Sequence, residues 1–171
     1  IEASYGVYIN NISYATISSN EINSYYSSGF AIYGNNIGSD YSKIRSNYIH
    51  GSYGDMIYFS HGGQGLNISN NILSKGNDGG RILRIDGGSS NPTNDLAFNG
   101  NLLSGYFDKW INIYSTSYNT LISSNEIHSQ RGSANQPIYL ENVVAYNYKI
   151  TDNKIYSDNY YYDENMRGIN I

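Results

Sequence analysis

The frame apolar-x-x-Asn-x-apolar occurs six times in the chain: ISSNEI (Ile17–Ile22), IRSNYI (Ile44–Ile49), ISNNIL (Ile68–Leu73), FNGNLL (Phe98–Leu103), ISSNEI (Ile122–Ile127) and ITDNKI (Ile150–Ile155). In a straight β-strand alternate side chains share a face, so two core residues stand an even number of positions apart. The apolar residues that bound each frame stand five apart, so the chain must bend once inside every frame. The asparagines Asn20, Asn47, Asn71, Asn101, Asn125 and Asn153 follow one another at steps of 27, 24, 30, 24 and 28 residues by subtraction. Recurrence in this range marks a solenoid, in which one structural unit stacks on the next.

A second series runs between the frames. Apolar-x-apolar pairs fall at Val7/Ile9, Phe30/Ile32, Ile57/Phe59, Leu83/Ile85, Ile111/Ile113, Ile138/Leu140 and Ile169/Ile171. Their even spacing suits a straight strand with one face inward. Each repeat therefore holds one straight strand and one bent one. The 20 Tyr and many Ile favour strands, the 18 Gly with Asn and Ser favour tight turns, and no stretch carries apolar residues at helical spacing. The expectation is an all-β chain forming a single domain over residues 1–171.

Charge and composition narrow the partners. The net charge is -4 and the ten Lys and Arg are scattered singly, so no basic patch exists to hold nucleic acid. No apolar run is long enough to span a membrane. Cysteine is absent, which removes any disulfide framework. No Asp/Glu cluster has the spacing of a calcium site, and no cofactor motif is present. The chain has no starting Met or signal peptide, and its last strand, in RGINI, lacks the bent strand that should follow. It is expected to be a segment of a longer protein.

Two solenoids use an Asn at such a bend. Ile12, Ala15, Ile17, Asn20 and Ile22 fit the leucine-rich-repeat frame in spacing, but its first position falls on Ser39, Gly63, Thr93, Ser117 and Ala145 in later repeats. Leucine-rich repeats also return through a helical segment, whereas here the return carries a strand, often opened by Gly (Gly6, Gly29, Gly168). The Gly-apolar-x-Ile strand and the Ile-Ser-x-Asn-x-Ile bend resemble the repeats of right-handed parallel β-helices of the pectate-lyase-like superfamily. That resemblance implies a right-handed single-stranded parallel β-helix of about six to seven coils, with three short strands per coil. Each Asn is then expected to occupy the left-handed region at the bend and to hydrogen-bond to its counterparts on coils about 4.8 Å away, forming a ladder.

If the apolar pairs face inward, the residues between and after them form outward rows. One row is Tyr8, Ala31, Tyr58, Arg84, Asn112, Tyr139 and Asn170; the next is Asn10, Tyr33, Ser60, Asp86, Tyr114 and Glu141, with Met56, Ile82, Trp110 and Pro137 on the row before. Tyr and Trp offer flat apolar surface with a polar edge, which suits sugars, so Tyr33, Tyr58, Trp110, Tyr114 and Tyr139 are the candidate polysaccharide-binding residues. Outward Tyr also suits a plain β-surface. Arg84 and Asp86 share a face, and Glu141 lies two coils further on, which puts the two carboxylates roughly 9 to 10 Å apart. Inverting glycosidases hold theirs about 6.5 to 9.5 Å apart, so Asp86 and Glu141 are candidate acid and base, with Arg84 stabilising an anionic sugar. The alternative for Arg84 and Asp86 is a surface ion pair. SHGGQG (Ser60–Gly65) resembles the Gly-His-Gly element of polygalacturonase-type hydrolases, but the order differs and the family's paired aspartates are missing beside it.

These features lead to three expectations. The first is an extracellular, cell-surface or virion-attached protein that binds surface polysaccharide and is similar to phage tailspikes, which implies a homotrimer or a place in a larger fibre. The second is a polysaccharide lyase or glycoside hydrolase working through Asp86. The third is a structural spacer without ligand. None requires a metal or other cofactor.

Overall fold

The computed structural model describes residues 5–24, 29–35, 40–51, 54–76, 80–106, 109–131, 136–140, 145–157 and 169–170. Among them the chain is all-β, wound through three parallel sheets. The first sheet takes Tyr5–Asn10, Phe30–Asn35, Ile57–Phe59, Leu83–Asn94, Lys109–Tyr118, Gln136–Leu140 and Ile169–Asn170 in that order, and Ala145–Tyr146 also pairs with Lys109–Tyr118. The second stacks Thr16–Ser18, Lys43–Arg45, Asn67–Ser69, Ala97–Asn99, Leu121–Ser123 and Lys149–Thr151; the third stacks Glu21–Asn23, Tyr48–His50, Ile72–Lys75, Leu102–Tyr106, Glu126–Arg131 and Lys154–Ser157. Apart from Ala145–Tyr146, which follows Gln136–Leu140 within the first sheet, strands consecutive in the chain belong to different sheets, and each pairs with its counterpart one repeat away. This is a β-solenoid.

The stack aligns like with like. Ile17, Ile44, Ile68, Phe98, Ile122 and Ile150 form one inner column, and Ile22, Ile49, Leu73, Leu103, Ile127 and Ile155 another. Most of these side chains are fully buried in one continuous core. Each such Ile or Leu stabilises the fold by about 2 kcal/mol, so the frame's apolar ends account for why the coils stack in this register.

The bend inside the frame is built differently from the expectation. The residue in the left-handed region is the one before the Asn: Ser19, Ser46, Asn70, Gly100, Ser124 and Asp152, with φ of 58°, 56°, 55°, 63°, 56° and 59°. The phase break falls there because Ile44 and Asn47 both point inward three positions apart, while Asn47 and Ile49 keep the even spacing of a strand. The asparagine itself is turned into the core. Asn71 Nδ2 donates to Ile44 O at 2.9 Å and to Asn101 Oδ1 at 3.0 Å, and that oxygen also accepts the Asn71 main-chain N–H at 3.0 Å. The same contacts recur from Asn47 to Asn71, from Asn101 to Asn125 and from Asn125 to Asn153. The ladder exists, and its role is to satisfy buried backbone groups at a corner where no strand does so.

A second corner lies six residues before each of these asparagines. Tyr14, Tyr41, Gly65, Asp95, Asn119 and Asn147 all have positive φ, between 54° and 66°. Six residues of four types share one backbone geometry, so no single residue type marks this corner in the sequence.

Two expectations about the first sheet are corrected. Val7 pairs with Ile32 and Ile9 with Gly34, so the second coil's inward pair is Ile32/Gly34 rather than Phe30/Ile32. Gly34 has no side chain to place there, and the Phe59 ring of the next coil fills the space a Cβ would take. Tyr33 therefore joins the row of Tyr8 and Tyr58, and Ala31 leaves it. Where the chain turns into this sheet, two successive residues both point inward: Ala31 with Ile32, Met56 with Ile57, Ile82 with Leu83, Trp110 with Ile111 and Pro137 with Ile138 are all buried. Trp110 is thus a core residue at 0% exposure and offers no surface to a sugar.

Candidate functional site: the outward face of the first sheet

The register of the first sheet places Tyr8, Tyr33, Tyr58, Arg84, Asn112 and Tyr139 one above another. Successive coils bring like rings within stacking distance. The Tyr8 and Tyr33 rings lie 5.4 Å apart at 17°, and Tyr33 and Tyr58 lie 5.3 Å apart at 27°. Phe30 packs against both Tyr33 and Tyr58 at 5.2 and 4.9 Å, and the Arg84 guanidinium caps Tyr58 at 4.7 Å from its centroid. The ring faces of Tyr33 and Tyr58 are therefore covered by neighbours, and what this row offers outward is phenol edges and hydroxyls. Further along, Lys109 Nζ sits 3.8 Å from the Tyr139 ring, while Asn112 is 2% exposed.

A polar row runs beside the aromatic one. Asn35 stands where Tyr33 was expected; its Nδ2 donates to the Tyr8 hydroxyl at 3.1 Å, and its Oδ1 accepts the Ser60 hydroxyl at 3.1 Å. Ser60 Oγ also lies 3.0 Å from His61 Nδ1. Asp86 pairs in register with Tyr114, which is 43% exposed. Immediately after Asp86 the pairing slips at Gly88 and again before Thr93, so the enlarged Ile85–Asp95 segment bulges beside this row.

Arg84, Asp86, Asp55 and Arg81 form a connected set. Arg84 pairs with Asp86 through Nη2 and with Asp55 through Nη1 at 3.4 Å, and Asp55 also accepts the Arg81 main-chain N–H at 2.7 Å. Tyr58 donates its hydroxyl to Asp86 Oδ2 at 3.1 Å. The Asp86 hydrogen bond, with the charges of Asp86 and Asp55, raises the pKa of Arg84 against its partial burial. Burial first, and then the Asp86 charge, push the Tyr58 phenol from 10.0 up to about 12, with Arg84 acting the other way. Asp86 is thus committed to a cation and a phenol. Arg84 and Asp86 share a face as expected, whereas Glu141 lies outside the described residues.

Asn35 and Asp55 have no signal in the sequence pattern, and Phe30 has one that points inward; Asp55, 4% exposed, supports this surface from beneath. Asp55 stands just before an inward corner residue, and the other two take their places only through the shifted register of the second coil. A concavity of about 470 Å³ opens at the first coil and is lined by Val7, Ile17, Asn20, Ile22 and neighbours. Among the described residues no group of three or more His, Asp or Glu gathers to hold a metal ion. No protein-family model, curated protein or solved structure matches the chain.

Proposed function

We propose that this β-solenoid is a non-catalytic binding module for an uncharged cell-surface polysaccharide, recognised on the outward face of the first sheet. The observation that carries the reading is the continuous double row from Tyr8 to Tyr139, rich in hydroxyls, amides and aromatic edges, in which Arg84 is neutralised by Asp55 and Asp86. Sugars are bound through hydroxyl networks and amphipathic aromatics, and a face whose arginine is held by carboxylates suits a neutral polymer. Because Tyr33 and Tyr58 are stacked into the row, the sugar meets their edges. The likeness to pectate-lyase-like β-helices, and to tailspikes within them, supports an extracellular or virion-attached setting and assembly as a homotrimer or within a fibre.

The test removes hydroxyls without disturbing the stack. Tyr33→Phe with Tyr114→Phe keeps both rings and deletes two edge hydroxyls. At about 0.5 to 1.5 kcal/mol for each lost hydrogen bond, retention on the best-bound polysaccharide should weaken roughly 5- to 150-fold and stay insensitive to salt. Unchanged retention would remove this face from consideration. A structural spacer is the second reading, favoured by the mutual covering of the ring faces; it requires that no polysaccharide is retained at all.

A further inference from the structure

Four tyrosines at the corner between the first and second sheets lie outside the face just described, and they form two exposed parallel pairs. Tyr118 and Tyr146 are in register on paired strands, with ring centroids 4.9 Å apart and planes 3° from parallel. Tyr14 and Tyr41 stack at 5.2 Å and 10°. All four are exposed, at 39%, 49%, 71% and 40% in that order. The Tyr41 ring also rests over Gly65, where an added Cβ would come within 2.6 Å of it. One pair joins the first two coils and the other joins later coils, near the two ends of the described stack.

Such pairs have a definite chemistry. A one-electron oxidant removes an electron and a proton from each phenol, the two phenoxyl radicals couple ring carbon to ring carbon ortho to the hydroxyls, and each ring then returns its ortho hydrogen to oxygen. With a peroxidase and hydrogen peroxide the balance closes: two tyrosines and one peroxide give one dityrosine and two waters. We propose that Tyr118/Tyr146 and Tyr14/Tyr41 are oxidative crosslinking sites that join successive coils covalently. Coupling needs two exposed phenols that approach without displacing other groups. The Tyr8, Tyr33 and Tyr58 row differs in this respect: Tyr33 is held between two rings and against Phe30, and the Tyr58 hydroxyl is bound to Asp86. In a solenoid each coil is held mainly by its neighbours, so a covalent link between successive coils opposes their separation.

The experiment treats the dilute protein with horseradish peroxidase and hydrogen peroxide and follows dityrosine fluorescence, intact mass and tryptic peptides. Trypsin cuts after Lys109, Arg131 and Lys149, so Tyr118 and Tyr146 fall on separate peptides. The expected result is a monomer lighter by two hydrogens per link, a crosslinked peptide pair assigned to Tyr118 and Tyr146, and a peptide ending at Lys43 that has lost two hydrogens and whose fragment spectrum places the link between Tyr14 and Tyr41 rather than between Tyr8 and Tyr33, which the same peptide also carries. Tyr118→Phe keeps the stacked ring but forms no phenoxyl, so it should abolish the first link and leave the second. Tyr146→Phe should do the same, giving an independent check should either variant fold poorly. Dityrosine appearing only between chains, equally in the Tyr8 row, or undiminished in both Phe variants would overturn the assignment.

Discussion

Asn101 lies in the middle of the ladder, and replacing it by Ala tests what the ladder contributes. It is 1% exposed. Its Nδ2 donates to Ile68 O and to Asn125 Oδ1, both at 3.0 Å, and its Oδ1 accepts the main-chain N–H and the Nδ2 of Asn71, also at 3.0 Å. Asn101→Ala removes all four bonds and leaves the buried Asn71 main-chain N–H without its acceptor, while Asn71 Nδ2 keeps Ile44 O and Ser69 O. The unpaired N–H costs about 1 to 3 kcal/mol and each of the three other lost bonds about 0.5 to 1.5, so the substitution should destabilise by roughly 2 to 7 kcal/mol, a large share of a typical domain's 5 to 15. Asn20 provides the control. It is exposed, and its side chain donates only to Ser18 O and Asn47 Oδ1, the latter of which keeps the Asn20 main-chain N–H. Asn20→Ala should cost less than about 1 kcal/mol. Urea titrations followed by the fluorescence of the single, buried tryptophan, Trp110, read both variants. An Asn101→Ala penalty below about 1 kcal/mol, or one no larger than that of Asn20→Ala, would show that the ladder does not hold the corner.

Other outcomes follow from the same geometry. Gly105 has φ of 129°, and a Cβ on it would collide with the Lys75 carbonyl oxygen, so Gly105→Ala should cost about 3 kcal/mol or more. At Gly100 the added Cβ meets only the Asn70 side chain, which can swing away, so Gly100→Ala should cost about 1 kcal/mol, the two being compared by thermal unfolding. The Tyr58 phenol titrates at about 12 in the folded chain against 10.0 unfolded, so the stability it contributes is complete below pH 10 and declines as pH rises toward 12. Tyr58→Phe should remove that step from an alkaline unfolding profile. Asp86→Asn breaks the ion pair with Arg84 while Asp55 still holds the guanidinium, so its stability cost should stay near 1 kcal/mol and polysaccharide retention should survive.

The repeat is legible in the sequence because two core columns impose it: Ile17 to Ile150 and Ile22 to Ile155 are apolar in every coil, and their odd spacing demands a bend. Which residue bends is less legible. Asn tolerates positive φ, so attention falls on it, yet its amide is worth more turned inward as a hydrogen-bonding group, and the left-handed position passes to Ser, Asp, Asn or Gly beside it. The second corner is silent because Tyr14, Tyr41 and Gly65 have nothing in common but backbone conformation. On the outward face, strict alternation counted back from Ile111 puts Trp110 outside, and it fails because alternation holds within a strand and not across the turn into one. Register fails at Gly34 for a related reason: a glycine facing the core has no hydrophobic signature, and only the Phe59 ring seated there reveals its phase. The Arg84 and Asp86 contact follows from their spacing, whereas the Asp55 contact needs the coil above.

Polysaccharide recognition by the first sheet is tested most directly by screening the unmodified chain on an array of bacterial and other cell-surface polysaccharides and then sizing each retained polymer after incubation. Retention of at least one neutral polymer, at unchanged length and across a range of salt, is the expected result. Retention of none, or recovery of shortened products, would contradict the account, the first in favour of a spacer and the second in favour of catalysis.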